Sequence, residues 1–257
     1  MLNVRVVKLG GNELDQPAWL EACARALVSL DPVVVVHGGG RAVSAWSERL
    51  GLPVEKRDGR RVTTAEVAEV VELVLAGPLN RRVVAALRRA GLDAVGLSGV
   101  DGGLLTARRA ESGTELGHVG EIAQVRAPLL ESFLLAGLTP VIAPMAPAAG
   151  DGAATPLNVN ADDAAAAIAG ALHAAELLLV SDVPGVQVDG VVQPVLDGVE
   201  IESLIESGAA SEGMAAKLRA AVAALRAGAR AVRIGDLRLL DDPRAGTRIL
   251  ATATQPA

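Results

Sequence analysis

The sequence predicts an α/β fold built on an open, mainly parallel central sheet sandwiched by helices, with β-hairpins outside that sheet. Short runs of β-branched and aliphatic residues recur along the chain, and stretches of helical period separate them. Runs so short and unbroken are expected of strands covered on both faces. Strand–helix alternation implies parallel pairing through right-handed crossovers. Size agrees: 257 residues, 51% hydrophobic and 21% charged, can bury a substantial core as one large or two modest domains, and intrinsic disorder is excluded.

Taken in order, Val4–Val7 is the first strand. Helix Pro17–Leu30 follows, opened by proline at its first position. A second strand, Val33–Val36, leads into a helix over Arg41–Leu50 that stops at Gly51. The long period over Ala65–Arg89 reads as one helix ending near Gly91, and Ala94–Leu97 is the third strand. Residues 104–125 alternate with period two around glycines, which predicts hairpins away from the main sheet. Helix Pro128–Ala136, stopped by Gly137, precedes strand Thr139–Ala143. Residues 144–157, rich in Pro, Gly and Ala, read as a bent loop. The alanine-rich helix Ala161–Leu172, strand Leu177–Val180, helix Gly213–Ala227 and strand Ala231–Ile234 complete the alternation. In such sheets ligands bind beyond the carboxyl ends of the strands, so function is expected in the residues that follow each strand.

Several function classes are excluded. The start, MLNVRVVKLGG, has an arginine inside a short apolar stretch and reads as a strand rather than a signal peptide. No apolar stretch spans a membrane. A net charge of −6 and only three aromatic residues (Trp19, Trp46, Phe133) argue against nucleic-acid binding. The single Cys23 allows no internal disulfide, and Cys/His metal spacings are absent, which fits a cytoplasmic protein.

Of 24 cationic residues only Lys8, Lys56 and Lys217 are lysine. Against so strong a bias toward arginine, a retained lysine is a candidate for needing a compact ammonium. Lys8 ends the first strand in Lys8-Leu9-Gly10-Gly11. Lys217 lies early in a helix, where a cation is poorly placed unless an anion is also present. The second strand runs into His37-Gly38-Gly39-Gly40. That is neither a dinucleotide fingerprint, since position 43 is valine, nor a P-loop. Side-chain-free backbone at a helix start still lets N–H groups crowd around an anionic oxygen. The alternative is a tight turn that needs glycine for its dihedrals alone. In Leu157-Asn158-Val159-Asn160-Ala161-Asp162-Asp163, Asn160 and Asp163 suit a capping-box-like pair. Asn158 and Asp162 are left without a structural task, and a carboxylate between two lysines would hold both ammonium groups.

KLGG, HGGG, NVNAD, SDVPG (Ser181–Gly185) and GMAAK, with GRRVT (Gly59–Thr63), LGHVG (Leu116–Gly120) and GTRIL (Gly246–Leu250), together resemble the amino-acid kinase family over essentially the whole chain. They are most similar to the branch of that family that acts on N-acetyl-L-glutamate. The resemblance implies ATP-dependent phosphorylation of that molecule's side-chain carboxylate, the second step of arginine biosynthesis, with hairpins over the substrate site. It implies that Lys8 and Lys217 stabilise the phosphoryl group in transfer and that Asp162 organises them. Gly39 and Gly40 would meet the reacting carboxylate, and Arg61 and Asn158 the rest of the acetylamino acid. Gly10, Gly11, Ser181, Asp182, Val183, Pro184, Gly185, Val186, Ala209, Ala210 and Ser211 would line the nucleotide, with Mg²⁺ held through phosphates and water. Residues 1–172 would form an acceptor-binding and dimerising lobe, and residues 173–257 an ATP-binding lobe. Asn12, where an aliphatic residue is usual, and the proline of Asp182-Val183-Pro184 depart mildly from the pattern.

The chemistry asks for these residue types. A carboxylate with a reference pKa of about 4.3 is already ionised at neutral pH and needs no general base. This agrees with the absence of an evident catalytic histidine among His37, His118 and His173. The difficulty is to bring an anion to a polyanion, which positioned cations solve. The competing expectation is a sister kinase acting on aminoadipate carried by a small acidic protein in lysine biosynthesis, docked on Arg57, Arg60, Arg61, Arg108 and Arg109. A non-catalytic sensor would have no reason to keep both lysines and Asp162. Arginine-inhibited members of the family tend to carry a helix before the first strand. Here that strand begins within a few residues, so a homodimer insensitive to arginine is expected.

Overall fold

Apolar residues fill most positions of the central strands, so each strand presents apolar side chains to both faces and must be covered twice. The computed structural model describes residues 3–11, 13–57, 59–111, 116–150 and 155–250. Asn12 and parts of the 104–125 and 144–157 segments lie outside them.

The chain opens with β1 (Arg5–Leu9), α1 (Pro17–Leu27, extended by a 3₁₀ turn to Leu30), β2 (Val33–His37) and α2 (Gly40–Arg49). A hairpin of β3 (Lys56–Arg57) and β4 (Arg60–Arg61) follows, then α3 (Ala65–Val74), α4 (Asn80–Ala90) and β5 (Ala94–Ser98). Next come β6 (Leu105–Arg109), β7 (Val119–Val125), α5 (Ala127–Leu135), β8 (Thr139–Ala143), β9 (Met145–Ala146), β10 (Leu157–Val159) and α6 (Ala161–Ala171). The last part holds β11 (Glu176–Val180), β12 (Gln187–Val188), β13 (Val191–Val192), β14 (Val195–Leu196), α7 (Gly198–Glu206), α8 (Glu212–Arg226), β15 (Val232–Gly235) and β16 (Thr247–Ile249).

Eight strands form the main sheet in the order β14-β16-β15-β11-β1-β2-β8-β5. All six predicted strands are in it. Pairing is parallel except between β15 and β16. On one face Val6, Val34, Val36, Leu177 and Leu179 pack under α6 and α8; on the other Val7, Leu9, Val33, Val35 and Val180 pack under α1, α3 and α4. Strand parity thus assigns every side chain at a strand end to one layer or the other. The predicted hairpin is β6–β7, which with β10 and β9 makes a second sheet. The segment read as a bent loop therefore contributes paired backbone at β9 and at the start of β10.

The single helix expected over Ala65–Arg89 is instead broken. A π turn at Leu75–Leu79 (LAGPL), with Gly77 at φ −94°, ψ −116°, separates α3 from α4. Pro78 supplies no N–H to the helical ladder and Gly77 accepts the irregular dihedrals. Among the described residues no helix is long and apolar enough to cross a membrane.

Candidate active site

β1 lies inside the sheet with β2 on one side and β11 on the other. At such a switch point the loops leaving neighbouring strands diverge and leave a crevice. Lys8, Gly10 and Gly11 after β1, Gly38–Gly40 after β2 and Ser181–Val183 after β11 line one cleft of about 420 Å³.

Lys8 shares the β1 face of Val6, which α6 and α8 cover. Small residues let those helices approach closely: a Cβ on Gly170 of α6 would lie 2.4 Å from that of Ala227. The approach brings Asp162, in the first turn of α6, between the two lysines. Lys8 Nζ lies 2.9 Å from Oδ1 as an ion pair, without the alignment of a hydrogen bond, and Lys217 Nζ donates to Oδ2 at 3.2 Å. Burial opposes ionisation of Asp162, but the Lys8 and Lys217 charges more than offset it and hold the carboxyl below the usual carboxylate range. Burial pulls Lys8 below the ordinary lysine range, with Asp162 opposing and Lys217 adding to the shift. Two ammonium groups share one carboxylate, so the cluster keeps an uncompensated positive charge that an anion would neutralise.

Asn160 caps α6 by accepting from the N–H groups of Asp162 and Asp163 at 2.7 and 3.3 Å. Asp163 does not complete the expected capping box; its carboxylate lies 3.9 Å from Arg60 Nη2. Burial raises Asp163 to about 6, Arg60 opposing.

None of Gly10, Gly11, Gly38, Gly39 and Gly40 has a left-handed φ, so turn dihedrals do not explain them; space does. A Cβ on Gly11 would lie 2.6 Å from Gly39 N, and one on Gly39 would lie 2.4 Å from Cδ2 of both Leu75 and Leu79. The two glycine loops therefore touch, and the π turn backs the second. A Cβ on Gly40 would meet nothing within 4 Å, and Gly40 starts α2, so the cleft lies at a helix N-terminus, which favours an anion.

His37 holds that loop from beneath. It is fully buried, with Nδ1 2.9 Å from Gly38 O, while Asn80 Nδ2, at the start of α4, donates to Nε2 at 3.2 Å and to Val141 O at 3.0 Å. An imidazole that donates from Nδ1 and accepts at Nε2 is neutral. Burial pulls His37 down to about 4, the Gly38 carbonyl opposing. A histidine depressed in the folded state stabilises above its unfolded pKa and loses that contribution as pH falls. Between pH 6.5 and about 4, His37 should therefore cost roughly 3 kcal/mol of unfolding free energy. Denaturant titrations across that range should show a flatter acid decline in His37→Gln than in the parent chain. Parallel declines would show that His37 is not held neutral.

Arg61, 9% exposed, donates through Nη2 to Gly40 O at 2.9 Å and to Ser44 Oγ at 2.6 Å, while its buried Nη1 has no partner. An unpaired buried donor at the cleft is an opening for an anionic ligand. Burial pulls the Arg61 guanidinium below its ordinary range. Asn158 lines the same cleft and donates to Thr63 Oγ1 at 3.2 Å; Thr63 in turn donates to Arg61 O at 2.8 Å.

The predicted nucleotide residues divide. Ser181, Asp182, Val183 and Ser211 line the main cleft, Ser211 also capping α8. Gly185, Val186, Ala209 and Ala210 line an annexe of about 190 Å³ that shares Val183, Ser211 and Met214 with the cleft. Gly185 has a packing reason, since a Cβ would lie 2.8 Å from Thr247 Oγ1, which accepts from Val186 N. Pro184 lines neither space. Lys56 and Glu13, which sequence reasoning passed over, both line the cleft, so all three lysines of the chain do. The lysine scarcity that marked Lys8 and Lys217 marked Lys56 equally. Cys23 is buried in α1 and its thiol is pushed up to about 12, which makes it inert.

The profile of the amino acid kinase family matches residues 3–236. The acetylglutamate kinase of Chloroflexus aurantiacus strain J-10-fl is 48% identical over 250 residues, covering 96% of this chain and 97% of that protein. That of Methanopyrus kandleri is 46% identical over 250 residues, with coverages of 94% and 98%. The crystal structure of smu.665 from Streptococcus mutans UA159 superposes with a TM-score of 0.85 at 29% identity, covering 98% of this chain and all of that one. Fold, motif order and full-length similarity agree, and the chain belongs to the amino acid kinase family.

Proposed function

We propose that the chain transfers the γ-phosphoryl group of ATP to the side-chain carboxylate of N-acetyl-L-glutamate, giving N-acetyl-L-glutamyl 5-phosphate and ADP in arginine biosynthesis. The observation that carries this reading is Asp162 held between Lys8 and Lys217 at the mouth of two glycine loops. The similarity to acetylglutamate kinases over nearly the whole chain supports the choice of acceptor.

In this reading the acceptor carboxylate attacks as the anion it already is, and no protein base takes a proton. Lys8 and Lys217 neutralise charge on the phosphoryl group in transfer, while ionised Asp162 fixes both ammonium groups without moving. The N–H groups of Gly11, Gly39 and Gly40 orient oxygens of the reacting groups. Arg61, through its free Nη1, and Asn158 bind the acetylamino acid. The annexe lined by Gly185, Val186, Ala209 and Ala210 would receive the base, so that in this reading residues 173–257 serve the nucleotide and residues 1–172 the acceptor and the dimer contact.

The cleft also fits Mg²⁺, since Glu13 and Asp182 in its lining offer carboxylate oxygens that no cation among the described residues holds. Among the described residues no three His, Cys, Asp or Glu side chains gather into a cage, so nucleotide oxygens and water would supply most ligands. When bound, the ion would neutralise and align the phosphates.

Of the basic rim that an acidic carrier protein would need, Arg108 and Arg109 stay exposed, but the other three arginines are engaged within the protein. Arg60 pairs with Glu121 at 2.8 Å, Arg57 with Glu55 at 2.9 Å, and Arg61 faces inward. An ADP-release assay offering N-acetylglutamate, glutamate, aspartate, UMP and carrier-bound aminoadipate in parallel should give robust turnover with N-acetylglutamate alone. Turnover confined to the carrier substrate, or none at all, would overturn the proposal. Light scattering should report a homodimer unaffected by arginine.

A further inference from the structure

Glu13 lies two residues beyond the β1 glycine pair and is 9% exposed. It lines the cleft beside Gly10, where its Oε2 would lie 2.9 Å from a Cβ built on that glycine, with Val180 O at 3.3 Å and Ser181 Cα at 3.9 Å from the same point. Its carboxylate therefore stands at the junction of the β1 and β11 loops, beside Gly10 and Ser181, two of the residues that the family resemblance sets against the nucleotide.

No structural task accounts for it. α1 begins at Pro17 with Gln16 as its cap, and Glu13 contributes only its backbone carbonyl, which accepts from Gln16 N at 2.9 Å. Among the described residues its carboxylate has no hydrogen-bond or ion-pair partner. Asp182, the neighbouring acid in the cleft, differs because it accepts from Ser181 Oγ at 3.1 Å. An unpaired carboxylate opening onto a polyanion site from a residue only 9% exposed would repel what the rest of the cleft attracts. A divalent cation on the phosphates reverses that sign, and carboxylate oxygen is a ligand Mg²⁺ accepts directly or through one of its waters.

We propose that Glu13 is the protein's own ligand to nucleotide-bound Mg²⁺, and that it makes the cleft select metal-complexed over metal-free nucleotide. This inference rests on the nucleotide site of the proposed function. The test is calorimetric titration of ADP into the full chain, with excess Mg²⁺ and separately with EDTA, for the parent, Glu13→Gln and Glu13→Asp.

In Glu13→Gln, metal-free ADP should bind several-fold tighter and Mg-ADP several-fold weaker, shrinking the gain from Mg²⁺ by about tenfold. Glu13→Asp keeps the charge but shortens its reach. It should weaken Mg-ADP without tightening metal-free ADP. Electron paramagnetic resonance of Mn²⁺ with ADP should show less bound ion in both variants. If the Mg²⁺ gain and the bound Mn²⁺ match the parent, or if Glu13→Gln weakens both forms of ADP in parallel, Glu13 is not a metal ligand. Failure of the parent to bind ADP under either condition would instead overturn the nucleotide site itself.

Discussion

Lys8→Ala and Lys217→Ala should each lower kcat by about 10²–10³-fold while the KM of either substrate shifts only a few-fold. The asymmetry follows from where the ammonium groups sit. Both are tied to Asp162, at 2.9 and 3.2 Å, so in the proposed reaction they would act on charge that develops at the reacting centre rather than on a distal part of either substrate. Arginine should not rescue either position, because a planar fork cannot occupy the space of a point charge on a nearly buried stem. Thermal unfolding separates this from loss of structure. Removing one of two cations that share a carboxylate leaves Asp162 still paired, so the melting temperature should move little. The double variant should lose much less than the product of the single losses, as expected of groups that act as a unit. Near-normal kcat in both single variants would remove the mechanism.

What made these residues legible was not spacing, since positions 8 and 217 are joined only by the sheet. It was rarity: in a chain that has turned nearly every cation into arginine, a lysine is informative. The same logic would have found Lys56. It could never have found Glu13, one of 30 acidic residues with nothing to distinguish it. The six central strands were legible because burial on both faces leaves an unbroken apolar run. Strands β14 and β16 were not: one is the pair Val195–Leu196 behind a proline, the other carries exposed Arg248 in its middle. Helix α7 was readable and missed, since Asp197 and Glu200 form a complete capping box. The break between α3 and α4 hid behind an apolar period that continues through Gly77-Pro78, a dipeptide that should have stopped the reading. The His37–Asn80 contact joins residues that no local pattern relates.

That break also bears on the second large effect. Gly11→Ala should reduce kcat/KM by about 10²–10³-fold at nearly unchanged thermal stability. Its new methyl would lie 2.6 Å from Gly39 N, 2.9 Å from Gly39 Cα and 3.1 Å from Gly40 N, all backbone, so no rotamer change relieves the contact. One loop must move. Gly39 cannot retreat, because Leu75 and Leu79 of the π turn press on it and His37 and Asn80 hold the adjoining Gly38. The β1 loop must therefore shift, by something on the order of an ångström, and with it the Gly11 N–H and the end of Lys8; a displacement of that size costs about 10²-fold where reacting groups must be aligned. The loops lie at the sheet's carboxyl edge rather than in its core, which is why folding should tolerate the change. Gly40→Ala is the discriminating control. A methyl there meets nothing within 4 Å and leaves both loops in place at the lining of the cleft, so it should raise the KM of the acceptor more than it lowers kcat. If Gly11→Ala keeps the parent kcat/KM, or if the two variants show the same kinetic pattern, the contact between the two glycine loops does not align the reacting groups.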